Sequence, residues 1–222
     1  MKYPRWKGWR QARGYVGQQI AFGRLRLDFD LWRVLKPVLR RSNSTGCSFD
    51  ELHELYAYVL RHRPRSILEL GSGISTVVLA HAAKKIRDSG GECTMVSMEE
   101  SEGYYAELLS LLPPEILRSI DLIRSDTEDL PSAGATRRRY RKTPERAYEM
   151  VFIDGPQVPR SNEFFDGDVV DVRAWNHGAF TAFLDQRRGT RENLLRLFPG
   201  VAHQRIGGLT RFDFPALREA GR

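Results

Sequence analysis

Two glycines and two groups of acids stand out as residues able to do chemistry together. In Ile67 to Ala80 (ILELGSGISTVVLA) an apolar run carries Glu69, a turn follows with Gly71 and Gly73, and a helical pattern opens at Ser75 or Thr76. Glycine lets the chain turn sharply and brings backbone close to a ligand with no Cβ in the way. The free amides of a helix start then face that ligand. Thr76 stands where a dinucleotide-binding loop carries its third glycine, which weakens a pyrophosphate reading. The next apolar run, TMVSMEE, ends in Glu99 and Glu100, and an acid at the end of a second strand can grip both hydroxyls of a ribose. Successive strand ends lie side by side at the carboxyl edge of an open sheet, so the two motifs can share one ligand. A tight turn without a ligand and an ordinary surface acid are the plain alternatives.

Further along, Asp154 ends the fourth candidate strand, and Gly155 with Pro156 forces a turn directly after it. Asp185 follows Phe183 and Leu184 and precedes Gln186. It reads either as a second carboxylate beside Asp154 or as the residue that orders the loop before a helix. The connection from Gln157 to Gly178 carries Asp166, Asp168, Asp171, Trp175 and His177, and long loops at a carboxyl edge form lids or substrate contacts. His177 is the candidate general base, because imidazole titrates near neutrality. The run Arg137 to Lys142 (RRRYRK), with Pro131 and Gly134 before it and Pro144 after it, reads as an exposed loop. It is either solvated charge or a clamp for a phosphate, a uronate or a nucleic-acid backbone. Arg5, Trp6, Lys7, Trp9, Arg10 and Arg13 form a basic, aromatic start that could join that clamp or rest on an anionic membrane surface.

The elements that must position these residues follow from periodicity. Short apolar runs predict strands at Ser66 to Leu70, Thr94 to Met98, Ile120 to Ile123, Met150 to Ile153 and Phe180 to Leu184. Helices near Ser75 to Arg87, Glu102 to Leu112 and Thr190 to Phe198 fill the gaps. VAHQRI and LTRFDF flank Gly207 and Gly208 and predict a closing β-hairpin. A helix begins at Ser48, where SFDE is a capping box. Asp28 to Arg41 has helical spacing interrupted at Pro37. The predicted organisation is an appended helical arm over residues 1–47 and one domain over residues 48–222. The chain has 222 residues, 41% hydrophobic and 28% charged, the profile of a soluble globular domain. No apolar run approaches the ~20 residues of a membrane span, and the first residues lack the apolar middle of a secretory signal. Cys47 and Cys93 match no metal spacing and call for no disulfide scaffold, which predicts a reduced, cytoplasmic setting. The net charge of +7 favours anionic partners.

Through ELGSGIST (Glu69 to Thr76), SMEE (Ser97 to Glu100), RSD (Arg124 to Asp126) and VFIDGP (Val151 to Pro156), the chain resembles the class I S-adenosylmethionine (SAM) dependent methyltransferases. The likeness spans about Ser48 to Phe214. It implies an α/β fold with a doubly wound, mostly parallel seven-stranded Rossmann-like sheet that ends in the antiparallel hairpin. It also implies that Glu69 orients the methionine end of SAM and that Gly71, Ser72 and Gly73 line it as far as Thr76. Glu99, with Glu100 beside it, is the implied ribose acid and Asp126 the implied adenine-side residue. Asp154 would face the transferable methyl group. VFIDGP is not the Asn/Asp-Pro-Pro-aromatic signature of enzymes that methylate exocyclic amines of bases. It is more similar to small-molecule O-methyltransferases, where an acid here and an acidic pair after the fifth strand often hold magnesium. Gln186 departs from that pair, so a divalent metal is not expected, and Asp154 orients or deprotonates the acceptor, with His177 as the competing base and Asp185 alongside. The expected function is methyl transfer from SAM to an oxygen of a small, sugar-like or natural-product-like and possibly anionic acceptor. The alternatives are an RNA methyltransferase, with nucleic acid as partner, and a nonenzymatic protein that keeps the SAM-binding fold.

Overall fold

The computed structural model describes residues 9–42, 46–159 and 161–217, with side chains from Val16 onward. Three helices come first, α1 (Trp9–Leu27), α2 (Phe29–Arg41) and α3 (Phe49–His62). They lead into β1 (Ser66–Leu70), α4 (Ile74–Asp88), β2 (Thr94–Glu99), α5 (Glu102–Leu111), α6 (Pro114–Leu117) and β3 (Asp121–Arg124). A hairpin of β4 (Thr127–Ser132) and β5 (Ala135–Tyr140) precedes β6 (Met150–Ile153), β7 (Phe164–Asp166) and α7 (Asp168–Trp175). The described chain closes with β8 (Phe180–Leu184), α8 (Arg188–Leu197), β9 (Ala202–Ile206) and β10 (Leu209–Phe214).

Seven strands form the main sheet in the order β3-β2-β1-β6-β8-β10-β9, and β4-β5-β7 form a small second sheet. β3, β2, β1, β6 and β8 run parallel, while β10 runs antiparallel to both β8 and β9. Met98, Leu70, Ile153, Leu184, Thr210 and Arg205 therefore occupy one cross-strand row near the carboxyl edge. The residues after the row in the parallel strands are Glu99, Gly71, Asp154 and Asp185, so parallel pairing alone sets them side by side.

Side chains alternate across a strand. Leu68 and Leu70 enter the apolar cluster that includes Val169, Val172 and Leu194, while Ile67 joins the cluster under α3 and α4. Glu69 shares the second direction, toward α4. Leu31, Val34, Leu35 and Val38 of α2 are buried in that same cluster, so α2 is a wall of the core rather than an appendage.

Three expectations change. α2 runs unbroken through Pro37. The bond that proline forfeits is to the carbonyl of Arg33, and both residues lie on the exposed face, where losing an internal partner costs least. RRRYRK is not a loop, because Arg137 to Tyr140 lie in β5, paired with β4 and β7. The connection from Gln157 to Gly178 holds β7 and α7, so it is ordered structure instead of a free lid. No described helix is long and apolar enough to cross a membrane.

Candidate functional site

The turn after β1 is braced from below. Glu69 is fully buried, and its Oε2 accepts hydrogen bonds from Thr76 Oγ1 at 2.6 Å and Ser97 Oγ at 2.6 Å. Thr76 Oγ1 also accepts from the Gly73 amide at 2.9 Å, so this threonine locks the loop internally. It is fully buried and forms no part of the cavity wall. Glu69 Oε1 is buried with no hydrogen-bond partner. Burial pushes the Glu69 carboxyl up to about 7 against the opposing pull of the Ser75, Ser97 and Thr76 hydroxyls. Gly71 has φ +94°, and a Cβ there would lie 2.7 Å from Asp154 C and O and 2.8 Å from Gly155 N. The missing side chain thus lets the ends of β1 and β6 pack backbone to backbone.

A cavity of about 600 Å³ opens over this edge, with Gly71, Ser72, Gly73, Glu99, Glu100, Asp154 and Asp185 among its walls. Ser72 Oγ donates to Glu99 Oε2 at 2.8 Å, and the Ser101 amide donates to Glu99 Oε1 at 2.8 Å. Both carboxylate oxygens are thereby aimed, with lone pairs left for a diol. Glu100 Oε1 accepts from the Gln157 amide at 2.7 Å. Cys47, just before α3, and Glu51, in its first turn, supply a wall that sequence reasoning did not anticipate. Glu51 Oε2 accepts from the Ser48 amide and hydroxyl, each at 2.7 Å, whereas its buried Oε1 has no partner. Burial, together with the Asp154 and Glu51 carboxylates, pushes the Cys47 thiol well above its ordinary range, so it stays neutral.

The second unanticipated residue is Arg187. Its guanidinium reaches Asp166 at 2.9 Å, Asp185 at 3.2 Å and Asp154 at 3.3 Å, and donates to the carbonyls of Pro156, at 2.7 Å, and Asp154. Asp166 arrives on β7 and is fully buried. Burial and the adjacent Asp154 carboxylate push Asp185 up to about 8, against the pull of Arg187. An internal cation thus fills the centre of this aspartate cluster. A divalent ion held by Asp154 and Asp185 would have to displace it, so the arrangement does not fit a resident metal.

Other expected residues lie apart. His177 is exposed and precedes β8, at the amino end of the parallel strands, opposite the edge that carries Asp154. It cannot act there as a base. Asp126 is exposed and paired with Arg124 at 2.7 Å, away from the cavity wall. Asp168 is buried and accepts from Thr143 Oγ1 at 2.7 Å and from the Tyr140 amide. Arg137 and Arg139 hold Asp171 at 2.7 and 3.0 Å, Arg139 also holds Glu128 at 2.8 Å, and Arg138 holds Asp129 at 2.7 Å. These three arginines are spent on the protein's own acids. Arg5, Trp6 and Lys7, and the side chains of Trp9, Arg10 and Arg13, lie outside the described residues.

No protein-family model matches the chain, and no curated protein sequence matches it. Solved structures do. A methyltransferase from Geobacter sulfurreducens matches with a TM-score of 0.53 at 12% identity over 85% of this chain and 90% of its own. The O-methyltransferase TomG from Streptomyces achromogenes, involved in tomaymycin synthesis and solved with SAM, matches at 0.50 with 13% identity over 90% of each chain. The T. thermophilus 16S rRNA N2 G1207 methyltransferase RsmC, solved with AdoMet and guanosine, matches at 0.51 with 14% identity over 79% of this chain and 45% of its own. At these identities the likeness shows the fold, which is the Rossmann-like methyltransferase fold with its antiparallel C-terminal strand.

Proposed function

We propose that this chain, which has the class I methyltransferase fold, is a SAM-dependent methyltransferase acting on a hydroxyl of a small molecule. The observation that carries the reading is the buried, unpartnered Oε1 of Glu69 behind the Gly71 to Gly73 turn, one strand away from an aimed Glu99 and from Asp154. Glu69 and the loop amides would hold the methionine end, and Glu99 the ribose hydroxyls. Glu51, Glu99, Glu100 and Asp154 face the cavity, Asp185 beside them is held toward its neutral form, and Arg187 is the one Lys or Arg among its described walls. That balance suits a cofactor bearing a sulfonium and an ammonium group. Bound SAM supplies a methyl carbon already made electrophilic by its sulfonium.

Asp154 would orient the acceptor hydroxyl and receive its proton. Burial and the adjacent Asp154 carboxylate hold Asp185 toward its protonated form near neutrality. Arg187 anchors the Asp154 carbonyl and carboxylate, so the base is held in place by a cation the chain itself supplies. On this reading catalysis is metal-independent because of Arg187, a firmer reason than the neutral Gln186. Asp154 is followed by Gly155, Pro156 and Gln157 instead of the Pro-Pro-aromatic run of enzymes that methylate exocyclic base amines, which supports oxygen as the acceptor atom. Arg137, Arg138 and Arg139, paired with the protein's own acids, offer no ready clamp for an RNA backbone.

Calorimetry with SAM and its demethylated product tests the cofactor assignment. Glu99→Ala removes a charged acceptor of hydrogen bonds, worth roughly 1.5–3 kcal/mol, so affinity should fall about 10- to 100-fold. Gly71→Val is a poor test, since its side chain would strike the end of β6. No SAM binding by the folded wild type would sink the reading. Product masses from labelled SAM offered with sugars, phenols, carboxylates and RNA would identify the acceptor.

A further inference from the structure

Beyond Asp185, away from Glu99, the same sheet edge leads into a second cavity of about 220 Å³ with the opposite charge. Arg188, Arg191, Arg205 and Thr210 line it, and it shares Asp185, Gln186 and Arg187 with the acidic cavity. Register explains the convergence. Arg205 pairs with Thr210, and Thr210 pairs with Leu184, so both polar side chains stand on the face where Leu184 packs toward α8. Facing them, α8 opens at Arg188, with Arg187 at its N-cap, Arg191 one turn on and no acid in the first turn. Cations are unfavourable at the positive end of a helix, where an anion is stabilised. Arg188 is paired with Glu192 at 2.7 Å, and Arg191 adds its field to the same glutamate, but the guanidinium groups of Arg191 and Arg205 make no hydrogen bond or close ion pair among the described residues. Asp185, the one acid among the described residues lining this cavity, is paired with Arg187 at 3.2 Å.

We propose that this cavity is a phosphate subsite, in which Arg191, Arg205 and the start of α8 hold the phosphoryl group of a small acceptor whose hydroxyl reaches across Asp185 to Asp154. The proposal rests on the methyltransferase reading and names its substrate class. Two adjoining cavities of opposite charge would sort their occupants, a cationic cofactor in one and an anionic acceptor in the other. Arginines suit this role because their planar fork meets phosphate oxygens in pairs.

Inorganic phosphate and a sugar phosphate would be titrated calorimetrically into wild type and into an Arg191→Ser/Arg205→Ser variant, at constant ionic strength set with chloride. Phosphate should bind the wild type, weaken as salt rises, and bind the variant at least ~10-fold more weakly, the equivalent of about 1.4 kcal/mol. The sugar phosphate should bind at least as tightly as phosphate. SAM affinity should be equal in both proteins, and Arg191→Lys/Arg205→Lys should retain part of the phosphate affinity. Equal phosphate affinity in wild type and the serine variant, or no binding at millimolar phosphate, would overturn the subsite. So would arginine-dependent binding of an RNA oligonucleotide without binding of either small phosphate, which would point to a macromolecular acceptor. Arginine-dependent phosphate binding with no SAM binding would instead overturn the methyltransferase reading and leave an anion site standing.

Discussion

Arg187→Ala should convert the aspartate cluster from a self-neutralised structure into a strained one with an appetite for cations. In the wild type the guanidinium lies within 3.3 Å of Asp154, Asp166 and Asp185. The side chains of Asp154 and Asp185 are 20% and 25% exposed, and that of Asp166 is fully buried. Removing one partner of a buried ion pair costs about 3–5 kcal/mol, because the partner's charge stays uncompensated. For a chain of 222 residues each kcal/mol moves the melting temperature by roughly 2–4 °C. Thermal melts should therefore show Arg187→Ala at least about 6 °C below wild type at pH 8. Burial already raises the pKa of Asp166 and Asp185, and loss of the cation raises them further. A carboxyl whose folded pKa is raised loses stability as pH rises, so the deficit should be largest at pH 8 and shrink toward pH 5. The vacated centre offers three carboxylates to a hard cation. Millimolar magnesium should then raise the melting temperature of the variant and leave the wild type unmoved, with about 2.7 kcal/mol recovered at a hundredfold excess over the dissociation constant. A variant that melts within 2 °C of wild type at pH 8, or a wild type that gains as much from magnesium as the variant does, would refute the idea that Arg187 stands in for a metal.

Asp154→Asn should lower kcat by about 10²- to 10⁴-fold, the usual contribution of a general base, with SAM affinity nearly intact. Wild-type activity should survive exhaustive chelation, and loss on chelation with recovery in magnesium would reassign Asp154 and Asp185 as ligands. Arg137→Ser/Arg139→Ser strips both cations from Asp171 and should depress the melting temperature without moving phosphate affinity; the reverse pattern would return β5 to the role of an acceptor clamp. Leu35→Ala should cost about 2–5 kcal/mol in chemical denaturation, as for any fully buried leucine. Silence at that site would detach α2 from the core.

The strands and the acids at their ends were legible because parallel strands buried on both faces read as short continuous apolar runs, and β1, β2, β6 and β8 are of that kind. Once the order was parallel, Glu99, Gly71, Asp154 and Asp185 had to meet, with no tertiary detail required. His177 shows the limit of choosing a base by residue type: it lies between α7 and β8, on the return to the amino edge, and its chemistry is irrelevant where it stands. The hairpin of β4 and β5 carries its own signal in the sequence. Glu128 and Asp129 lie as far before the Ala133–Gly134 turn as Arg138 and Arg139 lie after it, and they pair across it. Opposite charges placed symmetrically about a glycine turn signal a salt-bridged hairpin, whereas the arginine run viewed alone suggests a loop. Arg187 was out of reach of any such pattern. Its three aspartates come from β7 and from the ends of β6 and β8, and only the small sheet, by setting β7 beside β5, carries Asp166 to the place where one guanidinium spans them all. For the same reason the overall charge of +7 does not say where on the molecule an anion would be held. The arginines of β5 spend their charge on β4 and α7, so what faces a ligand is set by the remainder, an acidic cavity on one side of Asp185 and unpaired arginines on the other.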